Sequence, residues 1–158
     1  MTRPDMARVA LDLVARGYAL FPVAAGTKAG QLLPSWKAAS TTDPEQISTW
    51  WGVDYPDANV CIDCGKSGIV VIDLDVKAGA DGIATWQALT EGIDLSAAPR
   101  VRTPSGGLHI YFADAEGAWR NSAGKLGAGI DVRGVGGYVL APGSLIGDGA
   151  YVLEAGLL

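Results

Sequence analysis

The sequence predicts an α+β fold in which a mixed or antiparallel sheet is covered on one face. Three observations lead there. Short runs rich in β-branched and aromatic residues follow one another after residue 58: "NVCIDC", "GIVVIDLDV", "RVRTP", "LHIYF", "GIDVRG" and "GYVLAPG". Only one clear helical segment, around "DGIATWQALTEG", interrupts them, which is too few helices for a wound parallel sheet. Glycine is abundant, at 22 residues, and supplies the tight turns that such strands need.

The elements before residue 58 read as helices and a strand. Residues 4–16 carry Met6, Val9, Ala10, Leu13 and Val14 at helical spacing, with Arg8, Asp12 and Arg16 elsewhere on the turn. Gly17 closes that helix and "YALFPV" follows as a strand. The stretch superficially resembles a signal sequence, but Asp12 and Arg16 break its apolar run. "AAGTKAGQLLPSWKAAS" has loop chemistry. "TTDPEQISTWW" opens a second helix, with Thr42 or Asp43 as N-cap, Pro44 in the first turn, and Ile47, Trp50 and Trp51 on the buried side. The two tryptophans read as core anchors rather than as a base-stacking platform.

Composition sets the outer bounds. The chain has 158 residues and shows no internal repeat or linker, so residues 1–158 are expected to form a single domain. It is 49% hydrophobic and 18% charged, the profile of a folded globular protein. Its apolar runs are too short to span a bilayer, and a cytoplasmic location is expected. No long apolar seam is left over, so a monomer is expected. Cys61 and Cys64 supply half of a structural zinc site with no second pair, and read instead as small residues lining a strand and its turn. The net charge of −5 argues against a general nucleic-acid binder.

Chemistry enters through the polar residues on the strands. Alternate residues of a strand share a face. In residues 68–76, Val70, Ile72, Leu74 and Val76 therefore point one way, and Ile69, Val71, Asp73 and Asp75 the other. Two carboxylates about 7 Å apart repel by about 2 kcal/mol at an intermediate dielectric. A site that keeps both ionised commonly holds a divalent cation, and oxygen ligands suit Mg²⁺ or Mn²⁺. A solvated strand end with two unrelated aspartates is the plainer reading of such a pair. The same alternation groups His109 with Tyr111, and Asp131 with Arg133, opposite aliphatic faces. Before His109, "TPSGG" is a Pro-initiated turn whose Gly106 and Gly107 let backbone amides approach an anion, while Ser105 adds a hydroxyl. Arg100 and Arg102 add local positive charge. Aspartates for metal beside a Ser/His anion pocket are what metal–nucleotide chemistry requires.

The ordered set "GIVVIDLDVKAG", "VRTPSGGLHIYF" and "GIDVRGVGGYVLAPGS" resembles the N-terminal domain of bifunctional DNA primase/polymerases, of the archaeo-eukaryotic primase superfamily. Upstream, "LVARGYALFPV", Lys28, "TTDPEQISTWW" and "PDANVCIDCGKSG" extend the resemblance to nearly the whole chain; only Cys61 and Cys64 depart from the family's usual residues. The resemblance implies an N-terminal α/β portion packed against a sheet resembling an RNA-recognition motif, with the active site in the cleft. It implies that Asp73, Asp75 and Asp131 bind two Mg²⁺ or Mn²⁺ ions. It further implies that Ser105, Gly106 and His109 contact the phosphates of an incoming nucleotide, with Arg133 and Lys28 nearby. The implied reaction is template-directed nucleotidyl transfer on single-stranded DNA template and primer, from dNTPs or NTPs, in phage, prophage or plasmid replication. DNA would be held by a local strip such as Lys28, Lys37, Arg100, Arg102, Arg120 and Lys125. A helicase module often follows in relatives, so the chain is expected to be the N-terminal part of a longer primase–helicase polypeptide acting in a replisome. Two other readings are a metal-dependent glycosyltransferase using a nucleotide sugar, and a catalytically silent nucleotide- or DNA-binding replication module. The first would need neither the S-G-G-x-H turn nor the I-D-V-R strand. The second would have no use for a costly carboxylate cluster.

Overall fold

A computed structural model describes residues 3–158. Helix α1 (Met6–Ala15) is capped by Asp5, which accepts from the Arg8 amide, and it buries Met6, Ala10, Leu13 and Val14. Strand β1 (Leu20–Val23) follows, then the short helices α2 (Trp36–Ala39) and α3 (Pro44–Thr49). Next come β2 (Asn59–Asp63), β3 (Ile69–Leu74), a small hairpin of β4 (Val76–Lys77) and β5 (Ala80–Asp81), and helix α4 (Gly82–Leu89). The remainder is β6 (Arg100–Arg102), β7 (Leu108–Ala113), β8 (Ser122–Ala123), β9 (Ile130–Arg133), β10 (Tyr138–Leu140), a second small hairpin of β11 (Leu145–Ile146) and β12 (Gly149–Ala150), and β13 (Val152–Ala155).

The second helix departs from expectation at its end. After α3 the chain widens into a π-helical turn over Trp50–Asp54, closed by the Tyr55 amide bonding Trp50 O at 2.6 Å. The widened turn brings both tryptophans inward, and the Trp51 indole N–H donates to Ala58 O.

Two sheets organise the molecule. The larger has six strands in the order β13-β6-β7-β3-β9-β8, and the smaller has three, β1-β2-β10. All of these strand pairs are antiparallel, which settles the mixed-or-antiparallel expectation. The expected covering of one face needs correction, because both faces of the larger sheet are packed. One face, with Val70, Ile72, Leu74, Ile110, Ile130 and Val132, lies beneath Ile83 and Trp86 of α4. The opposite face contributes Val71, Val101 and Tyr111 to the main core, which also takes in α1, the tryptophans and the smaller sheet. The alternation found in the sequence was right, but Tyr111 is buried along with its hydroxyl. That face turns polar where Asp73 and His109 replace the aliphatics, and along β9, where Asp131 and Arg133 share it.

Cys61 and Cys64 are buried free thiols in the main core. Burial, with the Asp63 charge next, pushes the Cys64 thiol up to about 12, and burial alone raises Cys61 well above its ordinary value. Ellman's reagent at pH 8 should therefore leave the native protein unlabelled over an hour and titrate both thiols after guanidinium unfolding. Prompt labelling of the native form would contradict this packing.

Candidate active site

The site is built on the register of three strands. β3 lies between β7 and β9, with Asp73 directly opposite His109 on one side and Asp131 on the other. Residues opposite one another in antiparallel strands project from the same face, so this pairing collects the three side chains in one row. One step back, Val71 is opposite Arg133, which places the guanidinium beside the row. Asp75 lies just past the end of β3. Its amide donates to Gly129 O and its carbonyl accepts from the Gly82 amide, both at 2.8 Å. One carboxylate oxygen from each of Asp73, Asp75 and Asp131 lies within 4.8 Å of the others, closer than backbone spacing along a strand requires.

Positive charge offsets this cluster unevenly. Arg133 Nε lies 3.4 Å from Asp73 Oδ2, and a terminal guanidinium nitrogen lies 3.4 Å from Asp131 Oδ2. His109 Nε2 is 3.5 Å from Asp73 Oδ1, while the Gly124 amide donates to Asp131 Oδ1. Burial acts to raise the Asp73 pKa, but His109 and then Arg133 outweigh it and hold the group below the usual carboxylate value. Asp75 goes the other way. Burial first, then the charges of Asp73 and Asp131, raise it against the opposing pull of Lys77 and Lys28. Uncompensated negative charge on an all-oxygen ligand set fits a divalent cation of the Mg²⁺ or Mn²⁺ type.

The row opens into a cavity of about 230 Å³ between the two sheets. Asp73, Asp75, Ser105, His109 and Arg133 line one side, and Lys28, Trp36 and Tyr138 the other. The loop bearing Lys28 is braced: Tyr138 OH donates to Lys28 O at 3.0 Å, and the fully buried Asn59 amide donates to Thr27 O at 2.9 Å. That same amide group also donates to Leu145 O at 2.7 Å and accepts from the Leu145 amide at 2.9 Å. His109 is 5% exposed, and its Nδ1 is buried without a partner. Gly106 is not among the lining residues. Its amide donates to Thr103 O and the Gly107 amide to Thr103 Oγ1, so the turn uses these donors internally. The anion-facing amides expected of the two glycines are thus taken up by Thr103. Ser105, His109 and Lys28 remain on the cavity wall.

Two members of the expected cationic strip are misplaced. Arg100 and Arg102 are opposite Ile110 and Leu108, so they project from the α4 face of the sheet, away from the carboxylates. Arg102 is further engaged by Glu154. Lys28, Lys37, Arg120 and Lys125 are exposed, with Lys37 Nζ 5.6 Å from the Trp36 ring centre. Sequence reasoning also missed Thr103, Asn121, Tyr138 and Tyr151 on the cavity wall. Tyr151 is 5.6 Å from the His109 ring, and its phenol is pushed up to about 12 by burial, with the Asp73 charge next. No local pattern marked it, because its position depends on how the segment after β10 folds back.

The central strands of an antiparallel sheet thus bring together three carboxylates that could hold a metal ion, beside a cavity whose walls carry Lys28 and Arg133. The chain belongs to the bifunctional DNA primase/polymerase N-terminal domain family, which it matches over residues 10–156. That span contains every residue of the cluster, and membership implies DNA primase/polymerase activity on DNA and nucleotide substrates. No curated protein matches the chain. Among the described residues, no helix is long and apolar enough to cross a membrane.

The opposed shifts at Asp73 and Asp75 have opposite consequences for stability. The raised Asp75 destabilises the metal-free fold when ionised, and that penalty fades as pH falls through its folded pKa. Asp75→Asn should raise the melting temperature in EDTA at pH 7 by about one to three degrees. That gain should shrink towards pH 4. Asp73 is depressed, so its ionised form stabilises the fold above the unfolded pKa, and the contribution is lost as pH falls through the lower folded value. Asp73→Asn should therefore lower the melting temperature at pH 7. Circular-dichroism melts across pH 4–8 would read both signs.

Proposed function

We propose that this domain catalyses template-directed nucleotidyl transfer, with Asp73, Asp75 and Asp131 holding two Mg²⁺ or Mn²⁺ ions. The observation carrying this reading is the convergence of the three carboxylates to within 4.8 Å, on strands that belong to the matched family. Strand order adds support for a sheet of the RNA-recognition-motif kind. Taking β3, β6, β7 and β9 as first to fourth, they lie in the order second, third, first, fourth, with α4 between the first and second.

In the reaction a primer 3′-hydroxyl, or that of another nucleotide when a chain is started, attacks the α-phosphorus of the incoming nucleotide. The new P–O bond forms as the bond to the departing pyrophosphate breaks. When bound, cations held by Asp73, Asp75 and Asp131 would supply charge neutralisation and make the attacking hydroxyl more acidic, its proton passing to solvent. Asp73 and Asp131 on adjacent strands provide a rigid base for them. Arg133, which spans these two carboxylates, faces the cavity and is placed to meet phosphate oxygens. Ser105 on that wall and Lys28 on the facing one would take the triphosphate, and His109, opposite Asp73 on the adjacent strand, would orient that carboxylate at the nucleotide's edge of the cavity. Positioning and charge do the work, so no side-chain nucleophile is required.

Lys28, Lys37, Arg120 and Lys125 would hold single-stranded template and primer, without Arg100 and Arg102. We read residues 1–158 as one catalytic domain, monomeric in isolation, belonging to a longer primase–helicase polypeptide. Its setting would be phage, prophage or plasmid replication in the cytoplasm of a bacterial host.

A labelled primer on a single-stranded template, incubated with dNTPs and Mg²⁺ or Mn²⁺, should be extended by the wild type. Asp73→Ala and Asp131→Ala should give no extension above background while retaining the circular-dichroism spectrum. A wild type showing neither extension nor metal-dependent dNTP binding would defeat this reading. Template binding should weaken steeply as salt is raised, since phosphate contacts release counterions.

A further inference from the structure

The Asp73 and Asp131 carboxylates are steered by partners: the Arg133 and His109 side chains for the first, the Arg133 side chain and the Gly124 backbone amide for the second. Asp75 is different, for its carboxylate makes no hydrogen bond or ion pair among the described residues. Its location is set by its backbone alone. The Asp75 amide is tied to Gly129 O and its carbonyl to the Gly82 amide, each at 2.8 Å. These two bonds draw three backbone segments together: the end of β3, the first residue of α4, and the turn before β9.

So close an approach leaves no room for a side chain. A Cβ on Gly82 would collide with Gly129 O and lie 2.9 Å from Asp75 O. A Cβ on Gly129 would lie 2.7 Å from Gly82 N and 2.9 Å from Asp75 O, and Gly129 also has φ +77°, a region that suits glycine. All the atoms met are backbone atoms, which cannot swing aside as a flexible side chain would.

We propose that Gly82 and Gly129 are positioning residues of the carboxylate cluster, a two-glycine clamp that fixes Asp75 through its main chain. The proposal rests on the metal-binding reading of Asp73, Asp75 and Asp131 given above. α4 thereby acquires a role beyond covering the sheet, because its first residue is one jaw of the clamp. Residues 76–81 form a closed excursion between the two bonded ends, so their own packing does not set Asp75.

The test compares Mn²⁺ binding, read by electron paramagnetic resonance of free Mn²⁺, in the wild type, Gly82→Ala, Gly129→Ala and Asp75→Asn. Gly156→Ala serves as control. Gly156 also has positive φ (+79°), and a Cβ there would meet Pro99 Cα at 2.8 Å, but it lies past β13 and away from the cluster. At a temperature where circular dichroism shows all variants folded, both clamp variants should bind Mn²⁺ at least about tenfold more weakly, as expected for groups that orient metal ligands. They should approach Asp75→Asn, while Gly156→Ala binds as the wild type does even if its melting temperature falls as far. Folded clamp variants with wild-type affinity would overturn the proposal. Wild-type protein that binds no Mn²⁺ would instead overturn the metal reading beneath it. Should neither clamp variant fold, amide hydrogen exchange on the wild type decides: the Asp75 and Gly82 amides should be protected as strongly as those of β3 without metal. Exchange at loop rates would refute the clamp.

Discussion

The hydrogen-bonded register of β3 between β7 and β9 is the constraint on which the rest of this structure depends. A slip of one residue would carry Asp73 to the α4 face and separate it from His109 and Asp131. The aliphatic residues that precede the aspartates anchor the strand on both faces. Val70 and Ile72 fill the cluster under α4, while Val71 on the other side is wholly buried in the main core. A slip would bury the Asp73 carboxylate, without His109 or Arg133, in the apolar cluster under α4, and that cost selects the observed register. The geometry of the carboxylate row is thus inherited from the packing of the strand that carries it.

The charges are balanced against one another rather than neutralised individually. Arg133 touches two carboxylates, Asp73 draws on His109 as well, and Asp75 is left with only distant cations. The result is a gradient of compensation along the row, from the well-buried Asp73 to the half-buried Asp75. A fully paired cluster would have little left to offer an incoming cation, whereas a wholly unpaired one would strain the fold. Arg133 serves both needs because it is tethered on the adjacent strand, within reach of the carboxylates and of the cavity.

Much of this was legible in the sequence because strand periodicity is a local property. Alternation alone grouped Asp73 with Asp75 and Asp131 with Arg133, and it identified the aliphatic faces opposite them. What alternation cannot supply is which parity of one strand meets which parity of the next. "RVRTP" reads equally well with its arginines towards the cluster, and only the pairing of Val101 with His109 turns them away. The covering of both sheet faces was hidden for a similar reason: Val71 and Tyr111 share a parity with polar residues and gave no sign of a second core. Trp36, Tyr138 and Tyr151 come from segments remote from the aspartates in sequence, and only folding brings them to one cavity. The turn at residues 103–107 was recognised, but which acceptor would claim its amides was set by Thr103, a residue whose hydroxyl has several possible uses.

The Asn59 side chain joins the Lys28 loop to the hairpin that precedes Tyr151, through three hydrogen bonds made by one buried amide group. Two walls of the cavity are consequently one mechanical body. A hinged closure of the Lys28 loop would have to break the bond to Thr27 O and leave the buried Asn59 amide short of a partner. The Lys28 side chain, exposed beyond that joint, is left free of it. A cavity braced in this way is assembled when the chain folds, so the entropy cost of ordering these two walls is met before any ligand arrives.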